Sequence, residues 1–292
     1  MITRGFVILD KPENMSSRRA GGIVARMFGI KKFGHIGTLD PMASGLLPIA
    51  LGGATKMIPY VEEVGGSVKE YLFSLRFGME TTTLDITGDV VRENDVRPTQ
   101  DDVIAAIAGQ IGHIAQTPPA FSAVHVDGRR AYDLARAGRE FEIPPRMVDI
   151  YALELLGRDG DIWHFRTRCS RGTYVRAIAR DLAQACGAIA TVTMIRRTES
   201  VGISIENAVK LDFLENLFNN GGDVGQYLMS ADFGLGDIPV QNLDDKDAAF
   251  YRNGGFIQVD AGDGLCRVYG GDGFIGIGRV ADGTLCPKTT IL

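Results

Sequence analysis

Cysteine and histidine are scarce in this sequence, and neither residue type is grouped. The 292 residues include only four cysteines, Cys169, Cys186, Cys266 and Cys286, and four histidines. No two cysteines form a CxxC pair, so neither a disulfide scaffold nor a zinc site of the usual spacing is expected. The cysteines are expected to be small core residues in a reducing compartment.

A long hydrophobic run is also absent. The apolar segment at residues 6–9 is followed directly by Asp10-Lys11-Pro12. A secretion signal needs about 7–15 apolar residues, and a membrane-spanning helix needs about 20. The sequence therefore predicts a cytoplasmic protein that does not enter a membrane.

Several nucleotide-binding and hydrolase motifs are missing. No lysine follows a glycine, which excludes a Walker A loop, and neither HExxH nor a Gly-x-Ser-x-Gly elbow occurs. The spacing Gly271-x-Gly273-x-x-Gly276 does match the dinucleotide fingerprint. That fingerprint needs a helix after the loop, whereas the residues after Gly276 alternate as strand and turn. A dehydrogenase is therefore not expected.

Positive charge is in slight deficit overall, but it is unevenly distributed. The formal net charge is −5, with 6 Lys/Arg against 13 Asp/Glu in residues 201–292 and 25 against 23 in residues 1–200. Residues 1–40 and residues 160–200 each carry 7 basic and 3 acidic side chains. Two basic segments are compatible with a groove for nucleic acid, and an ordinary mixed surface explains them equally well.

Hydrophobic periodicity predicts an α/β (α+β) fold. Alternating apolar residues predict a strand at Lys69–Phe77. An apolar stripe at positions 175, 178, 179, 182, 183 and 186 predicts a core-facing helix over residues 173–186. Other strands are predicted at residues 5–11, 161–169 and 188–196, and other helices at residues 16–28, 99–111, 129–137 and 204–218.

The order of these elements predicts a mixed, mostly antiparallel central sheet with flanking helices. The composition changes near residue 236, after which short strands alternate with Gly-Gly and Asp-Gly turns. We therefore predict a large domain at residues 1–236, with an insertion at about residues 124–148. A small β-rich domain is predicted at residues 239–292.

One carboxylate lies in a glycine-flanked loop. Residues 33–56 read FGHIGTLDPMASGLLPIALGGATK, and Asp40 in this stretch follows two glycines and precedes Pro41. Glycine lets the backbone approach a ligand closely, which fits a catalytic carboxylate. Asp before Pro is also typical of a helix N-terminus, with Asp as the N-cap. The dipeptide alone favours the N-cap.

The stretch at residues 33–56 resembles the signature of the TruB family of pseudouridine synthases. Three further segments resemble the same family in the same order: LDKP at residues 9–12, KEY at residues 69–71 and CSRGTYVR at residues 169–176. The C-terminal segment is similar to the small RNA-binding PUA domain of bacterial members. The resemblance thus covers nearly the whole chain.

The resemblance implies three catalytic residues. Asp40 matches the essential aspartate of the family, and Tyr71 matches a tyrosine that stacks on the target base. Arg176 matches a basic residue beneath the catalytic carboxylate. A cation there would favour the ionised carboxylate. Arg176 also lies in the first turn of its predicted helix, where the macrodipole disfavours a cation, so an anionic partner is expected.

Substrate-binding residues are implied in the same way. They are His35, which matches a histidine that contacts the T-loop, together with Tyr71, Tyr174 and Ile195. Ile195 falls where the family usually has a leucine in the base pocket. Two positions depart from the family pattern. Glu70 replaces the usual basic residue and puts a phosphate contact in doubt, and residues 223–225 do not align.

The implied reaction isomerises uridine 55 in the T-loop of tRNA to pseudouridine. The N1–C1′ bond breaks and C5 bonds to C1′, so the resemblance implies no cofactor and no metal. An ionised aspartate can act as a nucleophile or as a base, and the sequence leaves both roles open for Asp40. The target base must first be flipped out of its stack.

The implied partner is the tRNA T-stem-loop, bound by a monomer with no obligatory protein partner. A non-catalytic tRNA-binding or folding chaperone remains an alternative, and it would need the groove but not Asp40. A guide-dependent pseudouridine synthase of an RNA–protein complex is another. The basic insertion and the lack of a long basic tail favour the stand-alone enzyme.

Overall fold

The computed structural model describes residues 4–126 and 128–291, so Asp127 of the predicted insertion lies outside the described residues. The strands are β1 (Gly5–Lys11), β2 (Phe33–His35), β3 (Ser44–Leu51), β4 (Lys69–Phe77), β5 (Met79–Thr81), β6 (Val90–Glu93), β7 (Gly112–Gln116), β8 (His125–Val126), β9 (Arg129–Arg130), β10 (Arg146–Asp159), β11 (Ile162–Cys169), β12 (Ala190–Ser200), β13 (Ile203–Ser204), β14 (Val209–Lys210), β15 (Val240–Asn242), β16 (Ile257–Gln258), β17 (Gly264–Gly270), β18 (Gly273–Ala281) and β19 (Thr284–Thr290). The α-helices are α1 (Ser17–Met27), α2 (Ile58–Val64), α3 (Gln100–Ala108), α4 (Ala131–Arg136), α5 (Val175–Ala185), α6 (Leu211–Asn219) and α7 (Asp245–Arg252). Short 3-10 helices lie at Gly52–Met57, Ile205–Asn207 and Val224–Tyr227.

The chain forms two compact units. The first unit comprises Met1–Pro41, Gly45–Gly66 and Val201–Leu292, and the second comprises Met42–Ser44 and Ser67–Ser200. The second unit is therefore continuous in sequence apart from three residues. The first unit is built from segments that are far apart along the chain.

The second unit is organised around an antiparallel sheet. Its strands lie in the order β12, β4, β11, β10 and β7, and every neighbouring pair is antiparallel. The predicted alternation in β4 is confirmed, because Tyr71, Phe73, Leu75 and Phe77 are all buried. Phe73 stacks on Phe165 of β11 with ring centroids 5.1 Å apart. Strand β4 therefore supplies the centre of this core.

Helix α3 of the second unit starts at a local capping signal. Helix α3 follows Thr99, whose side chain accepts a hydrogen bond from Asp102 N (3.2 Å), while Asp102 accepts one from Thr99 N (2.8 Å). This reciprocal pair satisfies two otherwise free donors at the helix start. Helix α5 packs against β12 and β4. Its predicted stripe is buried from Val175 to Ala183.

The first unit begins with strands β1 to β3. Strand β1 pairs antiparallel with β3 and parallel with β14, and β2 pairs antiparallel with β3. All eight residues of β3 are buried. With the antiparallel strands of the second unit, this arrangement confirms the predicted mixed, mostly antiparallel α/β fold.

The single helix predicted at residues 204–218 is wrong. Val209 and Lys210 instead form β14 and pair with Leu9 and Asp10 of β1. The Ser204 hydroxyl accepts a hydrogen bond from Glu206 N and caps a short 3-10 turn. Helix α6 starts only at Leu211. Tertiary pairing of the strand edge has overridden local helix propensity here.

The C-terminal segment forms a five-stranded sheet in the order β15, β17, β18, β19 and β16. The dinucleotide-like glycines lie in its turn and in β18, and a strand rather than a helix follows them. Gly276 has φ +154°, and an added Cβ would lie 2.0 Å from Thr289 O. That glycine therefore allows two strands to approach closely, which is a structural reason for the motif.

The C-terminal sheet shares a hydrophobic core with the start of the chain. Ile277 and Ile291 belong to the same buried cluster as Phe6 and Ile36. The Arg4 guanidinium also donates to Ile291 O at 2.6 Å. Strand β18 and the residue that follows β19 thus share a core with β1. The domain boundary near residues 236–239 stays a prediction.

Tyr251 is expected to destabilise the C-terminal core through its hydroxyl. The side chain is fully buried among residues such as Val268 and Leu285. Its hydroxyl has no hydrogen-bond partner among the described residues. Replacing Tyr251 with Phe should raise the free energy of unfolding by about 1 kcal/mol, since a buried unsatisfied polar group is removed. Urea denaturation followed by circular dichroism would measure the change.

Tyr60 offers a matched control in the same unit. Its hydroxyl lies 2.8 Å from Thr289 Oγ1. Tyr60→Phe should therefore lower the free energy of unfolding by about 1 kcal/mol. If both substitutions shift stability in the same direction, hydrogen bonding does not explain the difference.

Asp232 should make stability depend on acid pH. Its carboxylate accepts hydrogen bonds from Arg267 Nη1 (3.0 Å) and from the Tyr269 hydroxyl. Burial raises the pKa of Asp232, but hydrogen bonds from Ser230, Tyr269 and Arg267 outweigh it, so the pKa lies below its ordinary value. This group therefore stabilises the fold above the unfolded-state pKa of about 4 and loses that contribution as pH falls through the lower folded value.

The comparison that tests this is the pH dependence of urea denaturation from pH 7 to pH 3. Asp232→Asn should lose less stability than the wild type on acidification. Asp272, whose side chain is 83% exposed beside Arg252, is the matched control, and Asp272→Asn should follow the wild type. Equal pH dependence in all three proteins would contradict the role of Asp232.

Candidate active site

Asp40 lies in the loop between β2 and β3. Residues 41–42 form a turn and β3 begins at Ser44, so no helix starts after Asp40. The N-cap interpretation of the Asp-Pro dipeptide is therefore wrong. Gly37 has φ +66°, a conformation that side-chain-bearing residues rarely adopt. The loop thus needs at least one of the glycines that flank the carboxylate.

The residues on either side of Asp40 are fixed by hydrogen bonds within the first unit. Ser17 Oγ accepts from Leu39 N (2.9 Å) and donates to Leu39 O (3.0 Å). Met15 N donates to Pro41 O at 3.1 Å. Asp40 itself is half-buried. The backbone is therefore held just before and just after a carboxylate that solvent can still reach, as pre-organised chemistry requires.

Lys11 adds a buried cation at the base of this loop. The side chain is fully buried, and Nζ donates to Pro12 O and Met15 O (2.7 Å each) and to Pro41 O (3.5 Å). A buried ammonium needs such partners because its desolvation is costly. Lys11 is not among the site residues predicted from the sequence. A lysine at the end of an apolar strand was the available signal.

His35 is the last residue of β2 and lies opposite Ile49 of β3. It is half-buried. His35 and Asp40 therefore belong to the same short β2–β3 connection of the first unit. The other four predicted site residues, Tyr71, Tyr174, Arg176 and Ile195, belong to the second unit.

Tyr71 and Ile195 lie on the same face of the antiparallel sheet. Tyr71 of β4 stands between Thr167 of β11 and Arg197 of β12, and Ile195 is opposite Phe73. Alternate residues of a strand share one face, so Ile195 and Tyr71 are diagonal neighbours. Tyr71 is 7% exposed. This arrangement brings together the predicted stacking tyrosine and the predicted pocket residue.

Arg197 is a fully buried arginine directly opposite Tyr71. A buried guanidinium is rare and needs compensating partners. Arg197 is not among the site residues predicted from the sequence. Arg197 and Ile195 are two residues apart in β12, and alternate residues of a strand share one face. This spacing was the available signal that Arg197 faces the buried side.

Glu70 has partners that explain its departure from the family pattern. Thr198 Oγ1 donates to Glu70 Oε1 at 2.9 Å, and Arg168 Nε lies 4.0 Å from Glu70 Oε2. Neighbouring strand residues point to opposite faces, so Glu70 and Tyr71 lie on different faces. The Glu70 carboxylate therefore interacts with Thr198 and Arg168 and does not enter the Tyr71 face.

Arg176 is buried at the start of α5, with 3% of the residue exposed. Nη1 donates to Thr83 O (2.8 Å), Nη2 donates to Phe121 O (3.0 Å), and Nε lies 3.6 Å from Asp85 Oδ2. The anionic partner expected from the sequence therefore includes Asp85 within the second unit. Nothing in the local sequence marks Asp85, because it lies far from Arg176 along the chain.

Asp85 is itself held in one orientation. Its Oδ1 accepts hydrogen bonds from Thr83 Oγ1 (2.8 Å), Thr87 N (2.9 Å) and Thr87 Oγ1 (2.5 Å). Asp85 is 3% exposed. With Oδ1 satisfied by the threonines, Oδ2 is left facing the guanidinium. Arg176 and Asp85 thus form a buried charge pair whose remaining polar groups are largely satisfied.

Tyr174 occupies the N-cap position of α5, and its side chain makes no capping hydrogen bond. Tyr174 and Arg176 are consequently brought together at the start of one helix.

Among residues 4–126 and 128–291, no group of three or more His, Cys, Asp or Glu side chains is placed to hold a metal ion. In the same described part of the chain, no helix is long and apolar enough to cross a membrane.

Comparison with known proteins places the chain in a family. A family model described as TruB family pseudouridylate synthase (N terminal domain) matches residues 25–175, and one described as pseudouridine synthase II TruB, C-terminal, matches residues 239–291. The tRNA pseudouridine synthase B of Caulobacter vibrioides is 40% identical over 97% of this chain and 94% of the relative. That of Gluconacetobacter diazotrophicus is 38% identical over 97% and 95%.

Solved structures agree at the level of the fold. The crystal structure of a Cbf5-Nop10-Gar1 complex matches with a TM-score of 0.69 and 21% identity, covering all of this chain and 86% of that chain. This chain belongs to the TruB family of pseudouridylate synthases, which are isomerases.

Proposed function

We propose that this protein isomerises uridine 55 in the T-loop of tRNA to pseudouridine, with Asp40 as the catalytic carboxylate. The observation that carries the proposal is the Asp40 loop, which is pinned at Leu39 and Pro41 while Asp40 stays half-buried. Relatives that match nearly the whole chain are named tRNA pseudouridine synthase B. A fixed, accessible carboxylate fits the reaction of that family.

The proposed chemistry conserves atoms and electrons. The N1–C1′ bond breaks, the uracil turns, and C5 bonds to C1′. The proton on C5 is then lost and N1 gains one, so the product is an isomer of the substrate. Asp40 acts either on the ribose carbon or on a ribose proton, since an ionised carboxylate serves as a nucleophile or as a base.

The remaining site residues are assigned to binding. Tyr71 stacks on the flipped uracil, since aromatic side chains commonly hold unstacked RNA bases, and Ile195 and Tyr174 complete the base pocket. His35 contacts the T-loop. Arg176 is assigned to the charge environment of Asp40. The small domain at residues 239–292 contributes RNA contacts beside a catalytic domain at residues 1–236.

Guide RNA and partner proteins are not required in this proposal, and the protein acts as a monomer in the cytoplasm. The test incubates purified protein alone with a tRNA transcript that carries tritium at uridine C5, and measures tritium release. A transcript with cytidine at position 55 is the control and should release none from that site. Binding without release would favour a chaperone, and release only with an added guide RNA would favour a guide-dependent enzyme.

A further inference from the structure

The segment that carries Tyr174 does not fix its own conformation. It is a short connection between β11 and α5, and Gly172 within it has φ +93°. Tyr174 has no side-chain capping bond. A connection that contains glycine and lacks a cap retains conformational freedom unless other residues hold it. Two side chains from the neighbouring strands β7 and β10 restrain this connection.

Gln116 binds both backbone groups of Tyr174. It is the last residue of β7 and is fully buried. Its Oε1 accepts from Tyr174 N at 2.9 Å, and its Nε2 donates to Tyr174 O at 3.3 Å. A side-chain amide offers both the acceptor and the donor that this arrangement needs. One buried side chain thus fixes the backbone of one residue from both sides.

Arg146 acts on the ring of the same tyrosine. It is the first residue of β10 and lies directly opposite Gln116 in the sheet. Its guanidinium carbon is 4.8 Å from the centroid of the Tyr174 ring, and Nη2 donates to Gly172 O. A guanidinium over an aromatic face is attractive and orients the ring. The cross-strand pair of Gln116 and Arg146 therefore contacts the Tyr174 backbone, the Tyr174 ring and the carbonyl of Gly172.

We propose that Gln116 and Arg146 are positioning residues that set the location of the Tyr174 ring in the active site. The inference rests on the proposed function, because it is the reaction that requires Tyr174 to be placed accurately. Neither residue needs to touch RNA. Both act through Tyr174, and displacement of a positioned group by about 1 Å can cost 100-fold in rate.

The first test is kinetic. Gln116→Met keeps the side-chain volume and removes both hydrogen bonds. Per folded molecule, kcat for tRNA should fall about 10- to 100-fold, while KM changes less than about threefold. Gln226→Met is the matched control, since Gln226 is exposed and its amide donates to the backbone at Asp223 O (2.9 Å). It should behave as the wild type.

A double-mutant cycle separates positioning from general damage. If Gln116 acts through Tyr174, Gln116→Met should lower kcat no further in a Tyr174→Ala background. Arg146→Lys keeps the charge but loses the planar guanidinium, and it tests the same idea at a half-buried position if Gln116→Met does not fold. An unchanged kcat, or additive losses in the cycle, would overturn the inference.

A spectroscopic test does not depend on activity. In protein labelled with 3-fluorotyrosine, the Tyr174 resonance is identified by its loss in Tyr174→Phe. It should shift or broaden in Gln116→Met and Arg146→Lys and stay unchanged in Gln226→Met. A wild type that makes no pseudouridine would refute the proposed function, and the resonance would still decide whether Gln116 and Arg146 position Tyr174. An unmoved Tyr174 resonance would overturn that inference.

Discussion

Asp40→Asn is expected to abolish pseudouridine formation, lowering turnover by about 10⁴-fold or more. The substitution keeps the shape of the side chain but removes its charge and its basic oxygen, so it can neither attack carbon nor accept a proton effectively. Affinity for tRNA should change little, and it can rise because a negative charge facing phosphates is removed. Tritium release under single-turnover conditions, with binding measured at fixed salt, gives both quantities.

The structure sharpens the control for this experiment. Because no helix begins after Asp40, the substitution does not remove a helix cap, and a loss of activity in a folded variant cannot be attributed to a lost cap. Asp95→Asn, at an exposed carboxylate of the other unit, should leave turnover unchanged. A folded Asp40→Asn protein that still modifies tRNA over a prolonged incubation would end the catalytic assignment of Asp40.

Arg176→Ala should lower both stability and turnover. Removing the guanidinium leaves Asp85 buried without its cation, and breaking one side of a buried pair costs about 3–5 kcal/mol. Turnover should fall far more than tRNA affinity if Arg176 also serves the reaction. Arg176→Lys should retain part of the activity, because it keeps the charge but loses the two-pronged donor geometry. Urea denaturation and single-turnover kinetics measure the two effects separately.

The structural and catalytic contributions of Arg176 can be separated by a double substitution. Arg176→Met combined with Asp85→Asn removes both charges, and stability should largely recover because neither group is then buried as an unpaired ion. The amide oxygen introduced at position 85 would still accept hydrogen bonds from the two threonines. Activity should stay low. Recovery of activity together with stability would show that Arg176 serves the fold alone.

Arg180→Ala is the matched control on the same helix. Arg180 pairs with its neighbour Asp181 at 2.7 Å and donates to Thr117 O at 2.9 Å, one turn beyond Arg176. It is half-buried. Its loss should cost about 1 kcal/mol, as for an ordinary partly exposed interaction, with little change in turnover.

Local sequence patterns were sufficient to predict a helix or strand wherever its conformation depends on residues close together in the chain. The alternation in β4 and the apolar stripe of α5 are both short-range signals, and each is confirmed. Asp40 could be predicted as the candidate carboxylate because its loop carries a continuous motif. The sequence alone also allowed Asp40 to be a helix N-cap. That interpretation is excluded only by the structure, in which a strand and not a helix follows the loop.

Contacts between distant residues could not be predicted in the same way. Asp85 is 91 residues from Arg176, and Gln116 is 58 residues from Tyr174. Neither residue has a spacing that marks it, because both partners are defined by the strand order and not by the local chain. The error at residues 204–218 has the same origin, since β14 exists only through its pairing with β1.

The shared cluster of Phe6, Ile36, Ile277 and Ile291 has a consequence for synthesis of the chain. Residues 67–200 form a nearly self-contained unit and can fold while the ribosome is still working. The cluster, in contrast, also requires Ile277 and Ile291, which are synthesised after residues 67–200. Ile36 lies four residues before Asp40. The segment carrying the candidate carboxylate is therefore made before residues 67–200 but completes its packing after them. A chain that stalls after residue 200 is thus expected to form the sheet that contains Tyr71 before the Asp40 loop is fully packed.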